Sequence, residues 1–128
     1  MILLDTCTLL WLASDLQKLS SAAKTALQEN ASNLSVSAIT AFEIGIKFQK
    51  KLLILPLEPL VWFQAVLSHH GIKEIHINSK ISILSTSLPP IHKDPCDRFI
   101  ISTAQTYKFK IITPDTTIKS YPNVKTIW

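Results

Sequence analysis

Hydrophobic residues occur in two patterns along this chain, short segments of a few residues and longer stretches in which they recur every three or four positions. The short segments, such as Ile2 to Leu4 and Leu34 to Ser37, are typical of strands. The longer stretches predict helices with one apolar side. The predicted strands cover residues 2–4, 34–37, 72–77, 110–113 and 124–127. The predicted helices cover residues 6–13, 20–30, 38–51, 60–70, 78–85, a segment ending near 107, and a short turn at 115–120.

Strands that alternate with helices build a parallel sheet covered by helices on both faces, so we predict an α/β fold. Sheets of this kind bind their ligands in the crevice beyond the carboxyl ends of the strands. Asp5 ends the first predicted strand, and Asp115 lies two residues beyond the strand that ends at Thr113. The fold therefore predicts that both acids face one crevice.

Composition narrows the classes of function. A chain of 128 residues suits a single domain, 1–128, and 47% hydrophobic with 17% charged residues argues against a disordered protein. Only two glycines are present, so no glycine-rich phosphate loop can be written and most nucleotide-cofactor enzymes are excluded. The net charge of +4 suits a polyanion such as RNA, although many proteins without such a partner share it.

Cysteine and hydropathy patterns bear on the expected compartment. Cys7 and Cys96 form no metal-binding or redox pair and are expected to be reduced thiols. The apolar N-terminus has no basic leader, and no segment approaches the ~20 apolar residues that span a bilayer. We expect a soluble, cytoplasmic protein.

Three of the acids that could carry chemistry also have a simple structural role. Asp5 and Asp115 can each cap the helical segment that follows. Asp94 can cap a helix that starts at Pro95, where Asp97 would favour the helix dipole. Taken one at a time, capping is the better interpretation of each.

Glu43 is harder to explain by structure alone. On its predicted helix it shares a side with the apolar residues Ile39 and Ile46, where a carboxylate needs a partner. The structural alternative is an ion pair with Lys47 one turn later, worth a few tenths of a kcal/mol on a surface. Its apolar surroundings favour a functional role.

The acids together point to a metal. Carboxylates ~4 Å apart repel by roughly 4 kcal/mol at an effective dielectric constant near 20, so a convergent cluster needs a cation. Oxygen ligands suit Mg²⁺ or Mn²⁺ rather than zinc or copper. Such ions also attract phosphates, which predicts phosphodiester hydrolysis by a metal-activated water.

Four segments appear together in a recognisable order. They are Leu3-Leu4-Asp5-Thr6, Ser37-Ala38-Ile39-Thr40 with Phe42-Glu43-Ile44, His92-Lys93-Asp94-Pro95-Cys96-Asp97-Arg98, and Thr113-Pro114-Asp115. Over essentially the whole chain, this order resembles a PIN-domain ribonuclease of the VapC type, the toxin of a type II toxin–antitoxin pair. The D-P-x-D-R and T-x-D segments are specific in combination, whereas the opening D-T alone is weak.

The resemblance implies a Rossmann-like three-layer sandwich with a mainly parallel sheet and an Mg²⁺- or Mn²⁺-dependent endoribonuclease. It also implies a homodimer and inhibition by a VapB-like antitoxin. By motif position, the catalytic and metal-binding acids are Asp5, Glu43, Asp97 and Asp115. We rank Asp5 and Asp97 first as direct ligands, Glu43 next, and Asp115 as the candidate to act through water. Cys7 departs from the polar residue that many relatives carry there, which weakens the case for a hydrogen bond from that position.

Other polar residues keep two interpretations. Arg98 can clamp a phosphate or pair with an acid, and the structural role is favoured. Thr6 and Thr113 can orient the acids or simply begin a helix and end a strand. No histidine is assigned a catalytic role, since a loop residue such as His92 is more often a polar contact than a base.

The large apolar residues are expected to lie mainly in the core. These are Trp11, Phe42, Phe48, Trp62 and Phe63. The helix predicted over 38–51 is nevertheless apolar nearly all round, so part of its surface is predicted to bind the antitoxin or a second subunit.

Two rival functions are weaker. A non-catalytic PIN-like scaffold that binds RNA or protein would be expected to lack one of the four acids. A phosphatase of the haloacid-dehalogenase type requires a D-x-D motif, which is absent because Asp5 is followed by Thr6 and Cys7.

Overall fold

The structure is a computed structural model that describes all residues, 1–128. The strands are β1 (Ile2–Leu4), β2 (Leu34–Ser37), β3 (Lys73–Ile75), β4 (Lys110–Ile112) and β5 (Thr126–Ile127). The helices are α1 (Thr6–Ser14), α2 (Ser21–Glu29), α3 (Ala38–Gln49), α4 (Pro59–His70), α5 (Ser79–Thr86), α6 (Pro95–Tyr107) and α7 (Thr116–Lys119), with a 3-10 turn at Leu16–Lys18.

The sheet has five parallel strands in the order β3-β2-β1-β4-β5. The chain builds outward from β1 to β3, then crosses back to place β4 on the other side of β1. The point where strand order reverses is where such sheets open a ligand crevice. Leu4 is in register with Val36 on one side and Ile112 on the other, so the residues that follow β1 and β4 emerge side by side.

Two apolar layers hold the helices against the sheet. Leu4, Val36 and Ile112 face a layer covered by α1 to α4, and Leu3 and Ile111 face a layer covered by α6 and α7. Helix α5 packs against α6, where the hydroxyl of Ser102 donates a hydrogen bond to the carbonyl of Ile81 at 2.6 Å. The predicted three-layer α/β fold with a parallel sheet is confirmed.

Capping residues set where several helices begin and end. The side chains of Ser20 and Asn78 accept hydrogen bonds from the first turns of α2 and α5, and Gly71 ends α4 at a left-handed φ of 64°. These boundaries match the sequence prediction. Helix α3 is two residues shorter than predicted, because Lys51 adopts a left-handed φ of 59° that ends the helix.

The strands at the sheet edges are shorter than predicted. The prediction of 72–77 shrinks to β3 at Lys73–Ile75, and that of 124–127 shrinks to β5 at Thr126–Ile127. Each of these strands has a neighbour on one side only, so fewer of its residues join the ladder. None of the helices is long and apolar enough to cross a membrane.

Candidate active site at the strand-order reversal

Asp5 directly follows β1 and is 4% exposed. Its Oδ1 caps α1 by accepting the backbone N–H of Thr8 at 2.8 Å, and its Oδ2 accepts the hydroxyl of Thr113. Burial raises the pKa of Asp5 even though these hydrogen bonds favour the ionised form. Asp5 therefore does cap α1, as the structural interpretation predicted, but it does so with Oδ1 alone. Its Oδ2 is directed toward the end of β4.

Glu43 reaches the same region from α3. Its Oε1 accepts the hydroxyl of Thr6 at 2.8 Å, and its Oε2 lies 3.3 Å from the Nζ of Lys47. The ion pair with Lys47 considered from the sequence is thus present, but it uses only one of the two oxygens. The contact with Thr6 ties the carboxylate to the start of α1, directly beside Asp5.

Asp97 lies in the first turn of α6, where Asp94 is the N-cap and Pro95 the first helical residue, as predicted. Burial, followed by repulsion from the negative charges of Asp94, Glu43 and Asp115, raises the pKa of Asp97 to about 7. A carboxylate perturbed in this way by its own burial and by nearby like charges is a common sign of a functional site. A bound cation would favour its ionised form.

Asp115 caps α7 beyond the end of β4 and has a different environment. Burial acts to raise its pKa, but the hydrogen bonds from the backbone of Thr117 and from His92 outweigh burial, and the pKa lies below its usual range. Its backbone N–H donates to the hydroxyl of Thr113 at 3.0 Å, the same hydroxyl that donates to Asp5. Thr113 therefore links Asp5 and Asp115 in addition to following its strand.

His92 is a site residue to which the sequence analysis assigned no catalytic role. Its Nε2 lies 2.8 Å from Oδ2 of Asp97 and 3.2 Å from Oδ2 of Asp115. One ligand-type atom from each of these three residues falls within 4.8 Å of the others. Asp5 and Glu43 lie outside this cluster, so the structure pairs Asp97 with Asp115 more closely than the sequence-based ranking of ligands did.

The guanidinium group of Arg98 is engaged in hydrogen bonds with the protein backbone. Its two terminal nitrogens donate to backbone carbonyls of the segment before α6, at 2.9 to 3.2 Å. The accepting residues are Ser85, Leu88, Pro89 and His92. The favoured structural role of Arg98 is what the structure shows, and its effect is to hold the segment that carries His92.

The donor set fits a hard divalent cation. Carboxylate oxygens from separate elements are the ligands that Mg²⁺ and Mn²⁺ prefer, and burial plus mutual repulsion leaves Asp97 in need of a positive charge. The two cysteines offer no rival chemistry. Burial raises the pKa of Cys7 to about 12 and that of Cys96 to about 11, so both stay protonated thiols rather than nucleophiles.

Comparisons with known proteins agree with this fold. A family model described as PIN domain matches residues 2–124. Ribonuclease VapC22 of Mycobacterium tuberculosis is 30% identical over 130 residues, which cover 99% of this chain and 98% of that protein. A chain in a toxin–antitoxin complex from Klebsiella pneumoniae is similar at 25% identity and a TM-score of 0.67, covering 97% of this chain and 95% of that one.

A further solved structure, VapBC2 from Rickettsia felis bound to a DNA fragment from its promoter, matches with a TM-score of 0.71 and 18% identity. The match covers 98% of this chain and 97% of that one. The chain belongs to the PIN domain family. Within that family it is a homologue of the VapC ribonuclease toxins, which confirms the resemblance found in the sequence.

Proposed function

We propose that this chain is an Mg²⁺- or Mn²⁺-dependent endoribonuclease and the toxin of a VapBC-type module, with Asp5, Glu43, Asp97 and Asp115 as its catalytic and metal-binding residues. One observation carries the proposal. Four separate elements deliver these acids to the end of the sheet where strand order reverses between β1 and β4. Burial and the repulsion of neighbouring carboxylates raise the pKa of Asp97 to about 7, and a bound cation would relieve that repulsion.

The chain's own residues hold and orient the site. Thr113 positions Asp5 and the backbone of Asp115, while Thr6 positions Glu43. Asp5, Glu43 and Asp115 are therefore held before any ligand arrives, which limits the reorganisation that binding requires. A divalent cation held here would activate a water for attack on phosphorus and stabilise the leaving oxygen.

A groove beside Glu43 supports an RNA substrate. It has a volume of about 320 Å³ and is lined by Lys47 and Lys50 together with apolar and acidic residues. Lysines at the rim of a metal site can bind phosphates on either side of the cleaved bond. The net charge of +4 acts in the same direction, and such a substrate accords with the cytoplasmic location expected from the sequence.

The same groove supports a protein partner. Phe42, Ile46 and Leu52, which we call the α3 face, line it and are 58%, 37% and 73% exposed. The expectation that Phe42 lies in the core is wrong, because α3 turns Ile44 inward and Phe42 outward. Exposed apolar surface of this kind marks interaction sites, and the similar solved structures are toxin–antitoxin complexes. We assign the α3 face to a VapB-like antitoxin or to the second subunit of a homodimer.

RNA cleavage by the purified chain tests the activity. Labelled cellular RNA is incubated with Mg²⁺, with Mn²⁺ and with EDTA, using wild type, Asp5→Asn and Asp97→Asn. Glu29→Gln, an exposed acid on α2, is the matched control. We expect metal-dependent cleavage by wild type and by the control, and none by the two site variants.

Two outcomes would count against the proposal. Equal cleavage by folded site variants would move the active site elsewhere. No cleavage under any condition, together with no Mn²⁺ binding in a calorimetric titration, would favour the non-catalytic scaffold.

A further inference from the structure

The segment that carries His92 is held on both sides of that residue's backbone. The N–H of His92 donates to the phenolic oxygen of Tyr121 at 2.7 Å, and its carbonyl accepts from Arg98 at 3.2 Å. Tyr121 is itself 3% exposed and its hydroxyl donates to the carbonyl of Pro89 at 3.1 Å. A loop histidine without a role would not require these backbone contacts. We infer that Tyr121 and Arg98 fix the position of the His92 ring.

The two ring nitrogens of His92 have different partners. The backbone N–H of Asp94 donates to Nδ1 at 3.2 Å, so Nδ1 acts as an acceptor and carries no proton. The proton of the neutral ring therefore lies on Nε2, which donates to Oδ2 of Asp115 at 3.2 Å, while Oδ2 of Asp97 lies 2.8 Å from the same nitrogen.

This arrangement separates two roles that would look alike from distances alone. A histidine that binds a metal through Nε2 needs a lone pair there and usually donates its other N–H to an acceptor. Here a donor occupies the Nδ1 side, so Nε2 cannot lose its proton while the bond from Asp94 persists. In this tautomer His92 donates to Asp115 and cannot bind a cation through Nε2.

We propose that His92 is a positioning residue that donates its Nε2–H to Asp115, holding that carboxylate beside Asp97 for a cation that the ring does not itself bind. This inference rests on the proposed metal site. The hydrogen bond occupies Oδ2 of Asp115, whereas neither carboxylate oxygen of Asp97 accepts a hydrogen bond from the protein, so both are available to a cation. It also offsets the repulsion between two carboxylates at close range.

Nitrogen NMR of the histidine rings tests the tautomer without using activity. The long-range proton–nitrogen spectrum of ¹⁵N-labelled protein, assigned with His92→Gln, is recorded with and without saturating Mg²⁺. We expect a protonated Nε2 and an unprotonated Nδ1 in both spectra. Loss of the Nε2 proton when Mg²⁺ binds, or a ring protonated on Nδ1, would overturn the proposal.

A second experiment measures the Mn²⁺ affinity of His92 variants by calorimetry. His92→Ala removes the donor and is expected to weaken binding by ~10- to 100-fold, the usual effect of losing a residue that orients a metal ligand. His92→Gln places an amide N–H near the position of Nε2 and is expected to recover most of that loss. His76→Ala, at a side chain that is 87% exposed, is the matched control and should bind as wild type does.

The outcomes separate this inference from the proposed function. Failure of wild type to bind Mn²⁺ would remove the metal site itself. Normal binding by wild type with equal loss in His92→Ala and His92→Gln would indicate a ligand instead of a donor. Unchanged or tighter binding by His92→Ala would show that the ring does not assist the acids.

Discussion

The hydroxyl of Thr113 donates to Oδ2 of Asp5 although the two residues are 108 positions apart in the chain. Both are buried, and the contact joins the end of β1 to the end of β4. The same hydroxyl accepts the backbone N–H of Asp115 at 3.0 Å. A single side chain thus fixes the relative positions of two of the proposed catalytic acids.

Replacement of this hydroxyl should affect both stability and metal binding. Thr113→Val keeps the shape of the side chain but leaves Asp5 and the N–H of Asp115 short of a partner, at a cost of about 1–3 kcal/mol in the free energy of unfolding. Mn²⁺ affinity should fall ~10- to 100-fold. Urea unfolding and calorimetry measure the two effects.

Thr113→Ser is the matched control, because it keeps the hydroxyl and loses only a methyl group. It should retain most of the metal affinity. If valine and serine weaken Mn²⁺ binding equally, the hydroxyl does not position the acids.

Asp97 should make the metal-free protein less stable as pH rises. Its pKa is about 7 in the folded state against the usual 3.8 of an exposed aspartate, so the folded protein binds the proton more tightly. The stability from the protonated acid is therefore full below pH 4 and is lost as pH rises through about 7. The raised pKa of Asp5 acts in the same direction.

Asp97→Asn removes that proton linkage. At pH 8 without metal, we expect its melting temperature to exceed that of wild type by roughly 3–6 °C, and its decline between pH 5 and pH 8 to be shallower. Mn²⁺ should stabilise wild type but not the variant, since the cation binds the ionised acid. A metal-free variant that melts below wild type at pH 8 would show that Asp97 carries no such penalty. Differential scanning fluorimetry across the pH range measures all of these.

Arg98 should contribute to stability through its contacts with carbonyls. Arg98→Lys keeps the charge but cannot reach four carbonyls at once, and the expected cost is about 2–4 kcal/mol in the free energy of unfolding. Lys80→Ala, on the exposed surface of α5, should change that free energy by less than about 0.5 kcal/mol. Urea denaturation measures the free energy of unfolding of wild type and of both variants. An Arg98→Lys variant as stable as wild type, but defective in RNA binding, would restore the phosphate-clamp interpretation.

Local signals were sufficient for much of the fold. Short apolar strands, caps at Ser20, Asn78 and Asp94, and the glycine at position 71 are properties of neighbouring residues, and they placed most element boundaries within about two residues. The end of α3 was missed because the left-handed conformation of Lys51 has no signal in its sequence. A glycine there would have predicted the end of the helix.

Contacts between distant segments were harder to predict. The ends of β1 and β4 were expected to meet, because parallel strands share an edge, and this brought Asp5 and Asp115 together in advance. The place of His92 depends on Tyr121 and Arg98 holding its backbone and on Asp94 fixing its tautomer. Those contacts depend on how a loop crosses the site, which hydrophobic periodicity does not encode.

The α3 face provides the last prediction, which concerns association. Leu52→Lys places a charge at a side chain that is 73% exposed and should weaken the binding of a protein partner to the groove, so inhibition is measured relative to the uninhibited RNA cleavage of each variant. Ile83→Lys, at a side chain on α5 that is 68% exposed, is the matched control.

Light scattering after size exclusion reports the oligomeric state of each isolated chain. Inhibition of cleavage by the product of a small reading frame encoded beside the gene reports antitoxin binding. A dimer that only Leu52→Lys converts to monomer assigns the α3 face to the second subunit, and lost inhibition in a persistent dimer assigns it to the antitoxin. If Leu52→Lys alters neither property, the α3 face is not an interface, and its exposed apolar residues need another explanation.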